Sequence, residues 1–221
     1  MSAIALSIRS VRKSFARGLA RCTHRTVAIS DVDLDLFQSE IVGLVGAEGS
    51  GKTTLLQCAC GLLRPDFGSV IARHPVGYVP AIPIYYPFLT VRDVISLRAS
   101  RFAAYKPEAM HETLDLLELY HVRNDIIATL TPPELIRVSI AESLIGKPAA
   151  LMIDTNCSAA SIDCVPVQRA LGRVASMGIG VLIAARERAV VQSIAGRVIQ
   201  LSEGRIVTPQ SAPMFVAERL H

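Results

Sequence analysis

The sequence predicts an α/β fold: a mainly parallel core sheet, antiparallel strands at its flanks and a helical insert in the middle. Three observations carry this expectation. Short apolar runs alternate with helical patterns, as buried parallel strands joined by crossover helices do. The stretch from about residue 82 to residue 147 reads as helices alone. Toward the two ends, segments with strand alternation or a hairpin turn take over.

Residues 27–36 alternate apolar and polar side chains and read as a half-buried antiparallel strand. Residues 41–45, Ile-Val-Gly-Leu-Val, are a continuous apolar run, expected of a strand covered on both faces. A Gly-rich loop follows, then a helix through Leu55, Leu56 and Leu62, and residues 77–80 close another short strand. Thr90 with Asp93 marks a helix start. Pro107 marks another, ahead of an amphipathic stretch carrying Met110, Leu114, Leu117 and Tyr120. Strands return at residues 150–154 and 180–185, separated by a helix near residues 168–177. Residues 197–201, the turn Ser202-Glu203-Gly204 and residues 205–207 make a terminal hairpin.

With 221 residues and 51% hydrophobic side chains, the chain supports one well-filled core and is expected to be a single domain over residues 1–221. Its net charge of +4 does not by itself demand nucleic acid, and none is expected as a partner. Basic residues thicken near the start, at Arg9, Arg12, Lys13, Arg17, Arg21 and Arg25. They form either a solvated face or a surface near acidic headgroups or a nucleotide. The start has no signal pattern, and no apolar run approaches the ~20 residues that span a bilayer. A soluble, cytoplasmic chain that serves a membrane only through a partner is expected. Cys22, Cys58, Cys60, Cys157 and Cys164 have no zinc-ligand spacing and read as reduced packing residues, and the five histidines read as structural or surface.

The strongest signal is residues 46–54: Gly46, Ala47, Glu48, Gly49, Ser50, Gly51, Lys52, Thr53 and Thr54. This is the P-loop spacing, and it lies between a predicted strand and a predicted helix, the context that confirms it. Glycines let the backbone curl so that its N–H groups face phosphates, and the helix start adds partial positive charge. Lys52 is expected to reach β- and γ-phosphates and the Thr53 hydroxyl to ligate magnesium. Asp154, ending an apolar strand, is the candidate second magnesium residue. ATP and Mg²⁺ are the expected cofactors, on a P-loop NTPase fold.

Beyond the P-loop, further landmarks run along most of the chain: residues 61–70, Gly-Leu-Leu-Arg-Pro-Asp-Phe-Gly-Ser-Val; Val76-Gly77-Tyr78-Val79-Pro80; Leu89-Thr90-Val91-Arg92-Asp93; and residues 144–148 leading into the Asp154 strand. With these the chain resembles the nucleotide-binding subunits of ATP-binding-cassette (ABC) transporters, from about Leu6 to Val207. The resemblance implies that Phe15 stacks on adenine. It also implies a membrane-spanning transporter subunit and a second nucleotide-binding subunit as partners, and a place on the inner face of the cell membrane. The aromatic, Pro-rich residues 80–88 lie where family members dock a helix of the membrane subunit; burial in the helical insert is the alternative.

The catalytic positions implied by the resemblance depart from the family pattern. Ala81 stands where the family has a glutamine that senses magnesium and water, and Thr155 where it has the catalytic glutamate, followed by Asn156 in place of proline. Arg186 replaces the switch histidine, and either pairs with a γ-phosphate or is a surface arginine after a strand. The signature Leu-Ser-Gly-Gly-Gln corresponds to Leu130-Thr131-Pro132-Pro133-Glu134, in a register fixed by the 24-residue step from Leu130 to Asp154. Asp163 is the nearest candidate for the displaced aspartate loop. Two prolines offer no N–H to a phosphate, and Glu134 adds negative charge, yet Thr131, Pro132 and Glu134 suit a helix start with a capping box. Loss of a positioned acid–base group typically costs ~10²–10⁴ in rate. The expectation is an exporter-like ATP-binding subunit that binds Mg-ATP and hydrolyses it slowly or not at all. A soluble nucleotide-binding regulator of a protein partner is the alternative, and a P-loop kinase or nucleic-acid ATPase a weaker third.

Overall fold

A computed structural model describes residues 3–17, 24–73, 75–102, 107–155, 162 and 164–207. Arg21, Cys22, Asn156, Cys157 and Asp163 lie outside the described residues. The chain opens with two long strands, β1 (Ile4–Arg17) and β2 (His24–Phe37), and then enters the core through β3 (Ile41–Val45) and α1 (Lys52–Ala59). Next come β4 (Phe67–Ala72) and β5 (Val76–Val79). Helices follow: α2 (Val91–Ala99), α3 (Pro107–Leu116), two 3₁₀ turns and α4 (Pro132–Leu144). The core resumes with β6 (Ala150–Asp154), α5 (Val165–Ser176), β7 (Gly180–Ala185) and α6 (Arg188–Gln192), and the hairpin of β8 (Arg197–Ser202) and β9 (Arg205–Ile206) completes it.

The main sheet runs β5-β6-β7-β3-β8-β9, parallel except for its antiparallel last pair. Its central strands are covered on both faces, which is why β6 and β7 are buried at every position and carry continuous apolar runs. Leu151, Ile153, Val181 and Ile183 join a core with α2, α4, α5 and α6. Ala150, Met152, Leu182 and Ala184 point the other way, toward α1 and the buried face of a second, antiparallel sheet, β2-β1-β4.

Two of these strands, β1 and β4, carry no expectation from sequence, and the reason is visible in the backbone. Ser10 (φ 48°) and Asp31 (φ 62°) take left-handed conformations where the β1–β2 register shifts. The inward set on β1 is therefore Leu6, Ile8 and Val11, and on β2 Ile29, Val32, Leu34 and Leu36, with a phase slip in each. Toward its outer end the pair runs on past the core, so Val27, at one end of the predicted alternation, is exposed. The predicted helix through Leu62 stops earlier: Gly61 (φ 75°) turns the chain just past Ala59, and Leu62 is exposed. Likewise Glu118 (φ 55°) ends the third helical stretch, so Leu117 is buried just beyond α3 and Tyr120 sits in a 3₁₀ turn.

Three members of the basic stretch near the start are paired with carboxylates. Arg9 pairs with Asp35 at 2.7 Å, Arg12 with Asp31 at 3.2 Å and Lys13 with Asp66 at 3.0 Å. A different pair is buried. Arg197, the first residue of β8, meets Glu40 through Nε–Oε1 at 2.9 Å and Nη2–Oε2 at 3.1 Å. Its Nη2 also donates to the Asp35 carbonyl at 2.8 Å, and Glu40 accepts the Phe37 N–H at 3.0 Å. One fork thus ties the β2–β3 turn to β8. Removing one member of a buried pair typically costs about 3–5 kcal/mol because the other charge is left desolvated and unpaired. Arg197→Met is expected to lower unfolding stability in urea by about that amount, whereas Glu40→Met with Arg197→Met recovers most of it. A loss below about 1 kcal/mol in the single variant would contradict this account.

Candidate phosphate-loop site

The loop of residues 46–54 leaves the carboxyl end of β3 and enters α1 at Lys52. Its curl is set by close backbone neighbours. A Cβ at Gly46 would stand 2.2 Å from the Leu201 carbonyl oxygen, and one at Gly51 (φ 103°) 2.2 Å from that of Ala28. Gly204 braces the loop from the β8–β9 turn: its N–H donates to the Ser50 carbonyl at 3.0 Å, and its carbonyl accepts the Ser30 N–H at 2.8 Å. Sequence reading placed Gly204 in a turn and gave it no part in the site. The β2–β9 contact that makes it a brace comes from residues far apart in the chain.

Inside the loop Lys52 is buried, and its Nζ donates to the carbonyls of Gly46 and Ala47, each at 2.7 Å, and to Ser50 Oγ at 3.2 Å. Desolvation lowers the lysine pKa; Asp154 and Glu48 act against that shift and Arg186 adds to it. Thr53 Oγ1 donates to Asp154 Oδ2 at 2.6 Å. That contact bridges from α1 to the end of β6, across β7, the strand between β3 and β6. A hydroxyl and a carboxylate side by side are hard oxygen donors, suited to a magnesium ion that takes its remaining ligands from phosphates and water. Among the described residues no cluster of three or more His, Cys, Asp or Glu side chains could hold a metal by itself.

The departing positions also fall into place. Thr155 is buried, with its hydroxyl donating to the Ala184 carbonyl at 2.6 Å and its own N–H to the same oxygen at 3.1 Å. Its side chain is thereby committed to the sheet. Ala81 follows the end of β5, half-buried, with a methyl group and no polar side-chain atom. Arg186, exposed just past β7, makes an ion pair with Glu48 of the loop. At the start of α4, Thr131 is the N-cap and Pro132 and Pro133 open the helix. The Thr131 N–H and hydroxyl both donate to Glu134 Oε2, at 2.8 and 2.6 Å, and Leu135 N–H returns to the Thr131 carbonyl at 3.0 Å. The capping box is complete, and the helix start satisfies itself.

Phe15 lies on β1, 38% exposed, with Lys13 Nζ 5.7 Å from its ring centroid. Residues 82–86 alternate in their burial, and Pro87 and Phe88 are exposed. Ile82, Ile84, Tyr86 and Phe88 are exposed, while Tyr85 turns inward and donates to Glu142 Oε2 at 2.6 Å. Burial raises the pKa of Tyr85 and of Glu142, keeping the phenol a donor. This stretch borders a cavity of about 570 Å³ between β5, α2 and α4, lined by Tyr78, Tyr85, Leu97, Arg98, Phe102 and Glu142 among others. Burial inside the helical insert thus holds for Tyr85 and fails for the four outward residues.

A family model described as ABC transporter matches residues 29–158, more than half of the chain, from the middle of β2 through the phosphate loop to beyond Asp154. The chain belongs to the ATP-binding subunits of ABC transporters. Among relatives of this ABC subunit, the lipopolysaccharide export system ATP-binding protein LptB of Escherichia coli (strain K12) is 26% identical over 211 residues, covering 87% of this chain and 88% of that one. The zinc import ATP-binding protein ZnuC of Paramagnetospirillum magneticum is 30% identical over 185 residues, covering 80% and 68%. In structure, cbiO1 of Clostridium perfringens, described as part of the ABC transporter complex cbiONQ, superposes with a TM-score of 0.74 at 19% identity, covering 94% of this chain and 88% of that one. At that identity the likeness establishes the fold.

Behind Phe15, Asp66 accepts from Lys13 Nζ at 3.0 Å and from the Ser14 N–H and hydroxyl, each at 2.8 Å. Lys13 first, then the Ser14 donors, hold its carboxyl at about 2, against an ordinary 3.8. A carboxyl depressed in the folded state contributes stability that is present above its unfolded pKa and lost as pH falls through the folded one. The Asp66 carboxyl carbon, followed by NMR, is expected to titrate near 2, and Lys13→Ala to move it toward 3.8. A wild-type titration already at the ordinary value would refute the arrangement.

Proposed function

We propose that this ATP-binding subunit binds Mg-ATP and hydrolyses it slowly or not at all, within an exporter-like membrane transporter. The observation that carries the reading is the contrast within one site. Lys52 and the Thr53–Asp154 pair are in place, whereas the position of the water-activating carboxylate holds a threonine whose hydroxyl is turned onto the sheet.

In this reading the backbone N–H groups of residues 48–54 face the phosphates, Lys52 takes β- and γ-phosphate oxygens, and Phe15 offers a ring to adenine. Thr53 and Asp154 hold magnesium, which when bound neutralises charge on the phosphate oxygens. None of the described departures supplies a base: Thr155 is engaged, the Ala81 side chain has nothing to donate or accept, and Arg186 carries positive charge. Loss of one positioned acid–base group is worth ~10²–10⁴ in rate, and groups that act as a unit do not multiply.

Partners follow from surfaces and relatives. The outward row Ile82, Ile84, Tyr86 and Phe88, beside the cavity, supports docking of a membrane-spanning subunit, with the helical segment at about residues 82–147 inserted into one P-loop domain. In this reading membrane attachment runs through that partner, on the inner face of the cell membrane; among the described residues no helix is long and apolar enough to cross a membrane. A second nucleotide-binding subunit completes the assembly. It would find no phosphate donors at the start of α4, where the prolines have none and Thr131 and Glu134 engage each other. The relatives include both an export subunit (LptB) and an import subunit (ZnuC), and the export assignment follows LptB.

Magnesium-dependent ATP binding and phosphate release, measured on one preparation, test the reading. Retention of ATP with release at least about 10²-fold below a competent family member is expected. Lys52→Ala is expected to weaken binding by about ten-fold or more, as loss of a charge-assisted contact does. Robust turnover that disappears with Lys52→Ala would refute the catalytic part, and no retention at millimolar ATP would refute the whole.

A further inference from the structure

The tip of the phosphate loop carries an acid where a phosphate site gains nothing from one. Glu48 is acceptor-only, so its side chain cannot ligate a phosphate and repels one nearby. Its side chain is 80% exposed and free of packing, yet it is engaged with Arg186, itself 53% exposed. The backbone dictates that meeting. β3 and β7 are parallel neighbours with Val45 opposite Ala185, and the Gly46 N–H donates to the Ala185 carbonyl at 3.3 Å. Arg186 therefore emerges level with the first residue of the loop, from the strand beside it. Both charges are felt at Lys52, Glu48 holding the ammonium proton and Arg186 loosening it. The guanidinium is thus within electrostatic range of the group that takes β- and γ-phosphates.

Four charges meet at this mouth: Lys52 and Arg186 against Asp154 and Glu48. Lys52 and Asp154 are committed to the loop and to Thr53. The Arg186–Glu48 contact joins two long solvated side chains and can be exchanged. We propose that Glu48 and Arg186 form an electrostatic latch across the mouth of the phosphate loop. Glu48 stands in for a phosphate and releases Arg186 when the terminal phosphate of a nucleoside triphosphate arrives. The latch rests on the nucleotide-binding reading above and adds its regulation: the site favours triphosphate over diphosphate to the extent that Arg186 changes partner. Magnitudes make it a bias and not a barrier. An exposed ion pair shifts an equilibrium by up to about five-fold, whereas a charge-assisted guanidinium–phosphate contact is worth about ten-fold or more.

Calorimetric titration of the full chain with Mg-ATP and with Mg-ADP tests this, using wild type, Glu48→Gln, Arg186→Ala and the double variant. Both side chains are exposed, so the variants are expected to keep the fold, checked by thermal melting. Glu48→Gln is expected to tighten ATP by about two- to five-fold, with a smaller effect on ADP. Arg186→Ala is expected to weaken ATP by about ten-fold and ADP by less. In the Arg186→Ala background the gain from Glu48→Gln disappears. An undiminished gain in that background would show direct repulsion by Glu48 and overturn the latch, as would equal shifts for ATP and ADP. If every variant holds ADP while the ATP-to-ADP ratio stays fixed, the latch alone falls; if wild type holds neither nucleotide, the nucleotide reading falls with it.

Discussion

The site depends on a shortage of space. Backbone from β2, β8 and the β8–β9 turn approaches the phosphate loop so closely that a side chain at position 46 or 51 would collide with a carbonyl oxygen. That crowding curls the loop, and the curl buries Lys52 among carbonyls of its own making. An ammonium group removed from water is a strong incentive for an anion, since interior charges interact through a lower effective dielectric. The antiparallel sheet, the terminal hairpin and the buried Arg197–Glu40 fork can all be understood as holding that crowding in place.

Gripping and cutting a triphosphate make different demands, and in the proposed reading this chain meets them unequally. Gripping needs N–H groups, one cation and oxygen donors for a metal, which that reading assigns to the loop and the end of β6. Cutting needs a group poised toward water. Thr155 points its hydroxyl into the sheet, where Ala184 accepts both its O–H and its N–H. The replacement is thus more than a shorter side chain: the local hydrogen bonding gives it an alternative occupation.

Much of this was legible in residue order, and what was not has physical causes. Buried strands such as β3, β6 and β7 announce themselves as apolar runs because both faces are covered. The capping boxes at Thr90 and Thr131 are local, set by residues three apart, so sequence carries them completely. The strand β1 was illegible because Ser10 slips its phase, and β4 because it exposes Phe67 and Ile71 on an edge. The Glu40–Arg197 and Glu48–Arg186 pairs join residues more than a hundred positions apart, and only the sheet order brings them together.

The start of α4 has a further consequence. A helix opened by two prolines, with its first remaining N–H groups returned to Thr131 and a carboxylate at Glu134, presents a neighbouring chain with negative charge in place of free donors. A surface that meets it is favoured by cationic side chains and disfavoured by anions. Such a contact weakens as salt rises, because mobile ions screen charges near the surface.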